Sequence, residues 1–185
     1  ISPHGETVFS EKRAIFESII KITADIPNAQ LWFPTGYGEQ PLYKLKITVN
    51  GKESITEFGI RKVDILEIDD NFNPEYKAKA EKLKKNPHLL ENDRNEKTSS
   101  FWLVINGVRI FCQGGNWVPC DPFVSEETDE KIKLLVQSAH ECGCNMLRVW
   151  GGGVFEKDSF YSECDRLGIL VTQDFLMACG TYPED

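Results

Sequence analysis

The stretch Arg148-Val-Trp-Gly-Gly-Gly-Val-Phe155 places a guanidinium, an indole and a run of glycines close together in the chain. Glycine runs cradle phosphates when they open a helix after a strand. A dinucleotide fingerprint needs Gly-x-Gly-x-x-Gly, and counting from Gly151 the sixth position is Glu156, which would bring a carboxylate toward a pyrophosphate. The Gly-Lys-Ser/Thr ending of a phosphate loop is absent too. Two readings remain. In one, the glycines keep side chains out of a strand's open end while Trp150 offers a flat apolar surface to a sugar ring. In the other, Trp150 is core and the glycines form a tight turn.

Metal and thiol chemistry find little support. The 6 cysteines include no Cys-x-x-Cys pair, and the 3 histidines (4, 88 and 140) are scattered. A zinc site needs converging ligands at short paired spacings. No metal and no cofactor is expected. Cys142 and Cys164 fall on apolar helix faces, where a free thiol acts as a small hydrophobe. The net charge of −8 repels a phosphate backbone, so nucleic acid is not an expected partner. No apolar run approaches the ~20 residues of a membrane span. Residues 1–12 lack the basic-then-apolar pattern of a signal peptide, and the compartment is left open.

The elements that must position these residues can be read from periodicity. Tyr43–Val49 alternates apolar and polar and leads into Asn50-Gly51, a preferred hairpin turn. Ile55 through Ile65 reads as a second β-rich run, and Ile20, Ile22, Ala24 and Ile26 alternate in the same way. Residues 1–68 are thus expected to be all-β, with about four strands where an immunoglobulin-like sandwich needs around seven, so the sheet is incomplete. Residues 69–100 are rich in Asp, Asn, Lys and Glu and read as a linker or insertion, with a short helix over residues 73–87. Residues 101–111 repeat the hairpin pattern around Asn106-Gly107. Ser125 is expected to cap a helix that buries Ile132, Leu135, Val136, Ala139 and Cys142 and stops at Gly143. A buried strand, NMLRVW, follows. A second helix near 157–167 buries Phe160, Tyr161, Cys164 and Leu167 and stops at Gly168, before the strand ILVTQDF. Such a βα repeat builds a parallel sheet with right-handed crossovers, as in a doubly wound sheet or an eight-stranded barrel.

The segment NMLRVWGGGVFEKDSFYSECDRLGILVTQDFLMAC resembles the early barrel of β-mannosidases in glycoside hydrolase family 2. LWFPTGYGEQPLYKL and FGIRKVDI resemble the end of that family's immunoglobulin-like domain, and INGVRIFCQGGNWVPCDPF resembles the hairpin and first strand of its barrel. The fold implied is part of an immunoglobulin-like β-sandwich (1–68), a linker or insertion (69–100), and the first three or so βα units of a (β/α)8 TIM barrel (101–185). The activity implied is a retaining exo-glycosidase acting on terminal β-mannosides of a glycan. Another family 2 exo-glycosidase (β-glucosaminidase or β-galactosidase) or a non-catalytic carbohydrate-binding module are the alternatives. The resemblance makes no residue of this chain catalytic, since the family's two glutamates follow later barrel strands, and the chain alone is expected to be inactive. It makes Trp150, Asn116, Trp117 and Asp174 candidates for the substrate pocket, with Arg148 supporting the carboxylate machinery. Arg61 of FGIR is expected to be structural. Three barrel strands would leave an edge exposed, so self-association is also expected.

Overall fold

Both Asn-Gly pairs turn hairpins, with φ of 50° and 78° at Asn50 and Gly51 and 51° and 83° at Asn106 and Gly107. The computed structural model describes residues 1–69 and 99–181. The chain divides into two compact units, Ile1–Arg61 with Cys112–Asp185, and Lys62–Phe111. The expected helix over 73–87 and most of the expected linker lie outside the described residues.

In the smaller unit, β3 (Val63–Asp69), β4 (Ser99–Ile105) and β5 (Val108–Ile110) form an antiparallel sheet in that order. The Asn106 side chain accepts from the Lys62 N–H at 2.8 Å, and its own N–H donates to the Lys62 carbonyl.

In the larger unit, β1 (Tyr43–Val49) pairs with β2 (Lys52–Phe58). The β-rich run expected from Ile55 to Ile65 is broken. Residues 59–62 leave β2, and Val63 begins a strand of the other sheet. No strand forms at Ile20–Ile26, because alternation makes a strand only where a neighbour supplies hydrogen bonds. Ile20 and Ile22 there are exposed.

The rest of this unit is a βα repeat. β6 (Gly114–Trp117), β7 (Met146–Val149) and β8 (Leu170–Gln173) form a parallel sheet in sequence order, joined by α1 (Asp129–Glu141) and α2 (Asp158–Leu167). The register aligns Asn116 with Arg148 and Thr172, and Trp117 with Val149 and Gln173. Trp117, Ile132, Val136, Leu147, Val149, Phe160, Cys164 and Ile169 form the buried core between sheet and helices. Burial pushes the Cys164 thiol far above its ordinary pKa, so this cysteine behaves as a hydrophobe, as its helix position suggested.

Two local expectations change. Thr128, not Ser125, caps α1, its hydroxyl accepting from the Lys131 N–H at 3.2 Å. Ser125 instead lies in a short 3-10 turn, Val124–Glu126, which delays the helix start. The buried face of α1 is also narrower than expected: Ile132 and Val136 are buried, Leu135 stands at the exposed margin of the stripe, and Cys142 is exposed because the helix ends there and Gly143 (φ 83°) turns the chain away. α2 ends as expected, with Gly168 in the left-handed region at φ 75°.

The segments LWFP and FGIR converge on the end of α2. Trp32 is fully buried, its indole N–H donates to the Asp165 carbonyl at 2.7 Å, and the Arg61 guanidinium lies 4.4 Å from the Trp32 ring. Arg61 also pairs with the Asp165 carboxylate at 3.1 Å. Thr35 donates its hydroxyl to the Leu167 carbonyl and its N–H to that of Gly168, satisfying carbonyls that the helix end leaves open.

Candidate functional site

A strand presents successive side chains to opposite faces, so a parallel sheet with helices on one side leaves alternate residues on the other. Leu147 and Val149 of β7 enter the core, and Arg148 between them stands exposed on the opposite face. In β6, Asn116 shares the Arg148 face while Trp117 turns to the helices. Asp174 follows the last residue of β8, and its N–H donates to the Val149 carbonyl at 3.1 Å, prolonging the ladder.

Three of the candidate residues form one array. Arg148 Nε and Nη2 donate to Asp174 Oδ1 and Oδ2 at 3.1 and 2.6 Å, a two-pronged pair, and Nη1 donates to Asn116 Oδ1 at 2.9 Å. The forked guanidinium can hold both partners at once, which a lysine could not. Asn116 is thereby oriented with its oxygen toward Arg148, leaving its amide N–H groups to donate to a ligand. Beside the array, an open depression of about 210 Å³ runs toward the strand starts, lined by Cys112, Gly114, Gly115, Asn116, Met146 and Arg148.

Trp117 does not join them. Expected beside Asn116 at the open end of the sheet, it is instead the last residue of β6 and is 7% exposed, its ring 4.7 Å from that of Phe160. A shift of one position along a strand reverses the face, and this placed it in the core.

The glycines act by permitting close approach, since none of the three adopts a positive φ. The Gly151 N–H reaches Asp174 Oδ2 at 3.3 Å, and a Cβ on Gly151 would lie 2.6 Å from the Phe175 carbonyl oxygen. A Cβ on Gly152 would lie 2.1 Å from the far edge of the Trp150 ring. The indole is therefore folded back over Gly152, and Gly151 joins this loop to Asp174. Trp150 itself is half-buried. Gly152→Ala is expected to swing the indole away while leaving the fold intact, because the obstructing atoms belong to a side chain. The near-ultraviolet circular dichroism of Gly152→Ala compared with Trp150→Phe checks this. An unchanged tryptophan signal in Gly152→Ala, with a changed one in Trp150→Phe, would contradict it.

Behind the array is a buried carboxylate, Glu156, which breaks the dinucleotide spacing and is not among the expected pocket residues. Glu156 is 8% exposed and its Oε1 accepts from the Trp117 indole N–H at 2.9 Å. Glu127, 3% exposed, accepts the Cys120 N–H at 2.8 Å. Among the described residues no three His, Cys, Asp or Glu side chains converge to hold a metal, and no helix is long and apolar enough to cross a membrane.

No family model matches the chain. It is similar to beta-mannosidase B of Aspergillus flavus, with 34% identity over 99% of this chain and 19% of that protein. The beta-mannosidase of Bos taurus is 38% identical over 84% of this chain and 16% of its own length. Among solved structures, a beta-D-mannosidase from Dictyoglomus thermophilum aligns with a TM-score of 0.66 and 39% identity, covering 86% of this chain and 17% of that one. The exo-chitosanase CsxA of Amycolatopsis orientalis shares the fold at a TM-score of 0.54 and 22% identity, over 82% of this chain and 14% of that one. The chain spans about 19% of the length of the curated relatives it matches most fully. The resemblance carried by the Arg-Val-Trp-Gly-Gly-Gly and Gln-Asp-Phe segments thus extends over nearly the whole chain, and the chain is a homologue of one segment of the beta-mannosidases.

Proposed function

We propose that this segment forms one wall of the sugar pocket in a retaining exo-glycosidase that hydrolyses terminal β-mannosides. The observation that carries the reading is the array of Arg148, Asp174 and Asn116, built on strand ends and joined through Gly151 to the Trp150 loop. On this reading β6, β7 and β8 begin a (β/α)8 barrel, residues 1–68 close an immunoglobulin-like sandwich, and 69–100 are the insertion between them. Active sites of such barrels sit where the strands end, which is where Trp150 and Asp174 stand.

A retaining glycosidase needs two carboxyl groups about 5–5.5 Å apart, one nucleophilic and one a proton donor. Asp174 is engaged through both oxygens by Arg148, which fixes the carboxylate in the plane of the guanidinium and leaves it turned to that partner. Its role is then to hold Arg148 and the Gly151 loop, and the reacting pair comes from other parts of the longer protein. Asn116 donates to a sugar hydroxyl, and the Trp150 ring lies against the apolar face of the sugar.

The test compares the 185-residue chain with the longer protein that carries it on an aryl β-mannoside. The longer protein is expected to turn over the substrate and the chain alone to show no rate above a vector control. Clear turnover by the chain alone would overturn the assignment of the reacting carboxyls elsewhere. Faster turnover of aryl β-glucosaminides or β-galactosides by the longer protein would overturn the mannoside preference.

A further inference from the structure

His140, one of the scattered histidines, stands half-buried in the last turn of α1. Its ring Nδ1 lies 3.2 Å from the Thr35 hydroxyl oxygen. Thr35 belongs to the loop that follows the buried Trp32, and the same hydroxyl oxygen lies 2.5 Å from the Leu167 carbonyl oxygen at the end of α2. The Thr35 N–H donates to the Gly168 carbonyl at 2.8 Å. One threonine therefore touches both helices where they end. Gly168 makes that approach possible, since a Cβ there would lie 2.7 Å from the Thr35 nitrogen and 2.8 Å from its hydroxyl oxygen.

A threonine hydroxyl has one proton to give and two lone pairs to receive. A carbonyl oxygen only accepts, and two oxygens 2.5 Å apart need a proton between them. The Thr35 proton is therefore committed to Leu167. None is left to give His140, so the contact at Nδ1 is a hydrogen bond only if the ring nitrogen carries the hydrogen and donates it. With the hydrogen on Nε2 alone, the Nδ1 lone pair would face an oxygen that has no proton to offer. The order of donation is thus His140 to Thr35 to Leu167, and in such a chain each bond polarises the next.

We propose that His140 is a positioning residue. With its hydrogen on Nδ1 it turns the Thr35 hydroxyl toward α2 and latches the loop of residues 33–40 across the ends of both helices. The latch covers carbonyls that α2 leaves open at its end. Trp32 docks beside it, its indole N–H donating to the Asp165 carbonyl at 2.7 Å. Gln40 holds the shape of the loop, its side-chain N–H groups donating to the Phe33 and Gly38 carbonyls at 3.0 and 2.7 Å. The latch stands apart from the pocket reading and is tested without a sugar.

Nitrogen–proton NMR of the histidine rings in the full chain reads the tautomer directly, at a pH where the ring signals no longer change with added base. His140 is expected to show a protonated Nδ1 and a bare Nε2. The opposite pattern, or the averaged signature of a ring exchanging freely between the two, would overturn the proposal. Substitutions then separate the donor from the bulk of the ring. His140→Asn keeps an amide N–H close to the position of Nδ1, and His140→Leu keeps bulk without a donor. Hydrogen exchange of the Trp32 indole N–H measures how often the latch opens, and that of the Trp117 indole N–H is the reference for opening of the core. His140→Leu is expected to speed Trp32 exchange about three- to tenfold relative to Trp117, the scale of one lost hydrogen bond, and His140→Asn to restore most of it. Adding His140→Leu to Thr35→Val should change little more, because the bond it removes is already gone. The proposal falls if His140→Leu gives no relative acceleration, if the Leu and Asn variants accelerate equally, or if the effects of His140→Leu and Thr35→Val simply add. Should the variants fail to fold, the wild-type tautomer alone decides the matter.

Discussion

Asp174→Ala, made in the longer protein that carries this segment, is expected to lower kcat/KM on an aryl β-mannoside by about 100-fold, the scale of loss when a positioned group drifts by roughly 1 Å. Both Asp174 oxygens are committed, to Arg148 and, through Oδ2, also to the Gly151 N–H. Without them Arg148 keeps only Asn116, and the loop that carries Trp150 loses its tie to the end of β8. The effect on stability should be far smaller. The Arg148 and Asp174 side chains retain 47% and 26% of their exposure, and ion pairs so open to water contribute about 0–1 kcal/mol. A large loss of rate with a nearly unchanged urea midpoint is thus the signature of positioning. Asp174→Asn should recover part of the rate, because one oxygen remains to accept from the guanidinium. Arg148→Lys should not, since an ammonium cannot hold Asp174 and Asn116 in one plane. If Asp174→Ala stays within about threefold of wild type in kcat/KM, the array contributes no transition-state stabilisation and the pocket-wall reading falls.

Phe160→Ala should have the largest effect on the fold, a loss of about 3–5 kcal/mol. The side chain is fully buried, with its ring 4.7 Å from that of Trp117 and 5.2 Å from that of Tyr161. It sits where α2 meets the end of β6, and the cavity left by the ring cannot be filled by stiff aromatic neighbours. Domains of this size are stable by only about 5–15 kcal/mol, so the variant approaches the unfolding threshold. Phe175→Ala is the control, since Phe175 is 82% exposed and its loss should change stability by about 0.5 kcal/mol or less. Urea denaturation followed by circular dichroism measures both. A Phe160→Ala cost below about 1 kcal/mol would show that this core does not hold the βα repeat together.

Features controlled by neighbours along the chain were legible in the sequence. Asn50-Gly51 and Asn106-Gly107 turn hairpins because their backbone tolerates positive φ, whatever surrounds them. Gly168 stops α2 for the same reason, and Ile132, Val136, Phe160 and Cys164 bury the faces their helical spacing marks. The irregular course of Ile20–Ile26 and the break at residues 59–62 were not legible. Alternation describes a face, and a strand also needs a partner, which the linear sequence does not name.

For the candidate site, the residue types around Arg148 and Trp150 were enough to exclude a phosphate loop and to mark a strand end. Which of those side chains meet was decided in three dimensions. The parallel register sets Asn116 opposite Arg148, and the two-residue alternation of β6 sends Trp117 to the helices. Asp174 reaches Arg148 because β8 ends one residue earlier, a contact spanning a whole βα crossover. The glycines had a clear local meaning as a turn without side chains. Only the packed structure shows that Gly152 makes room for the Trp150 indole and Gly151 for the Phe175 carbonyl. Glu156 is the sharpest case. Along the chain it is a polar residue after a turn, and its burial against Trp117 exists only because α2 and β6 close over it. Local conformation follows from short-range sterics and hydrogen bonds that the sequence spells out. Contacts between distant residues depend on register and face, which are settled only when the core packs.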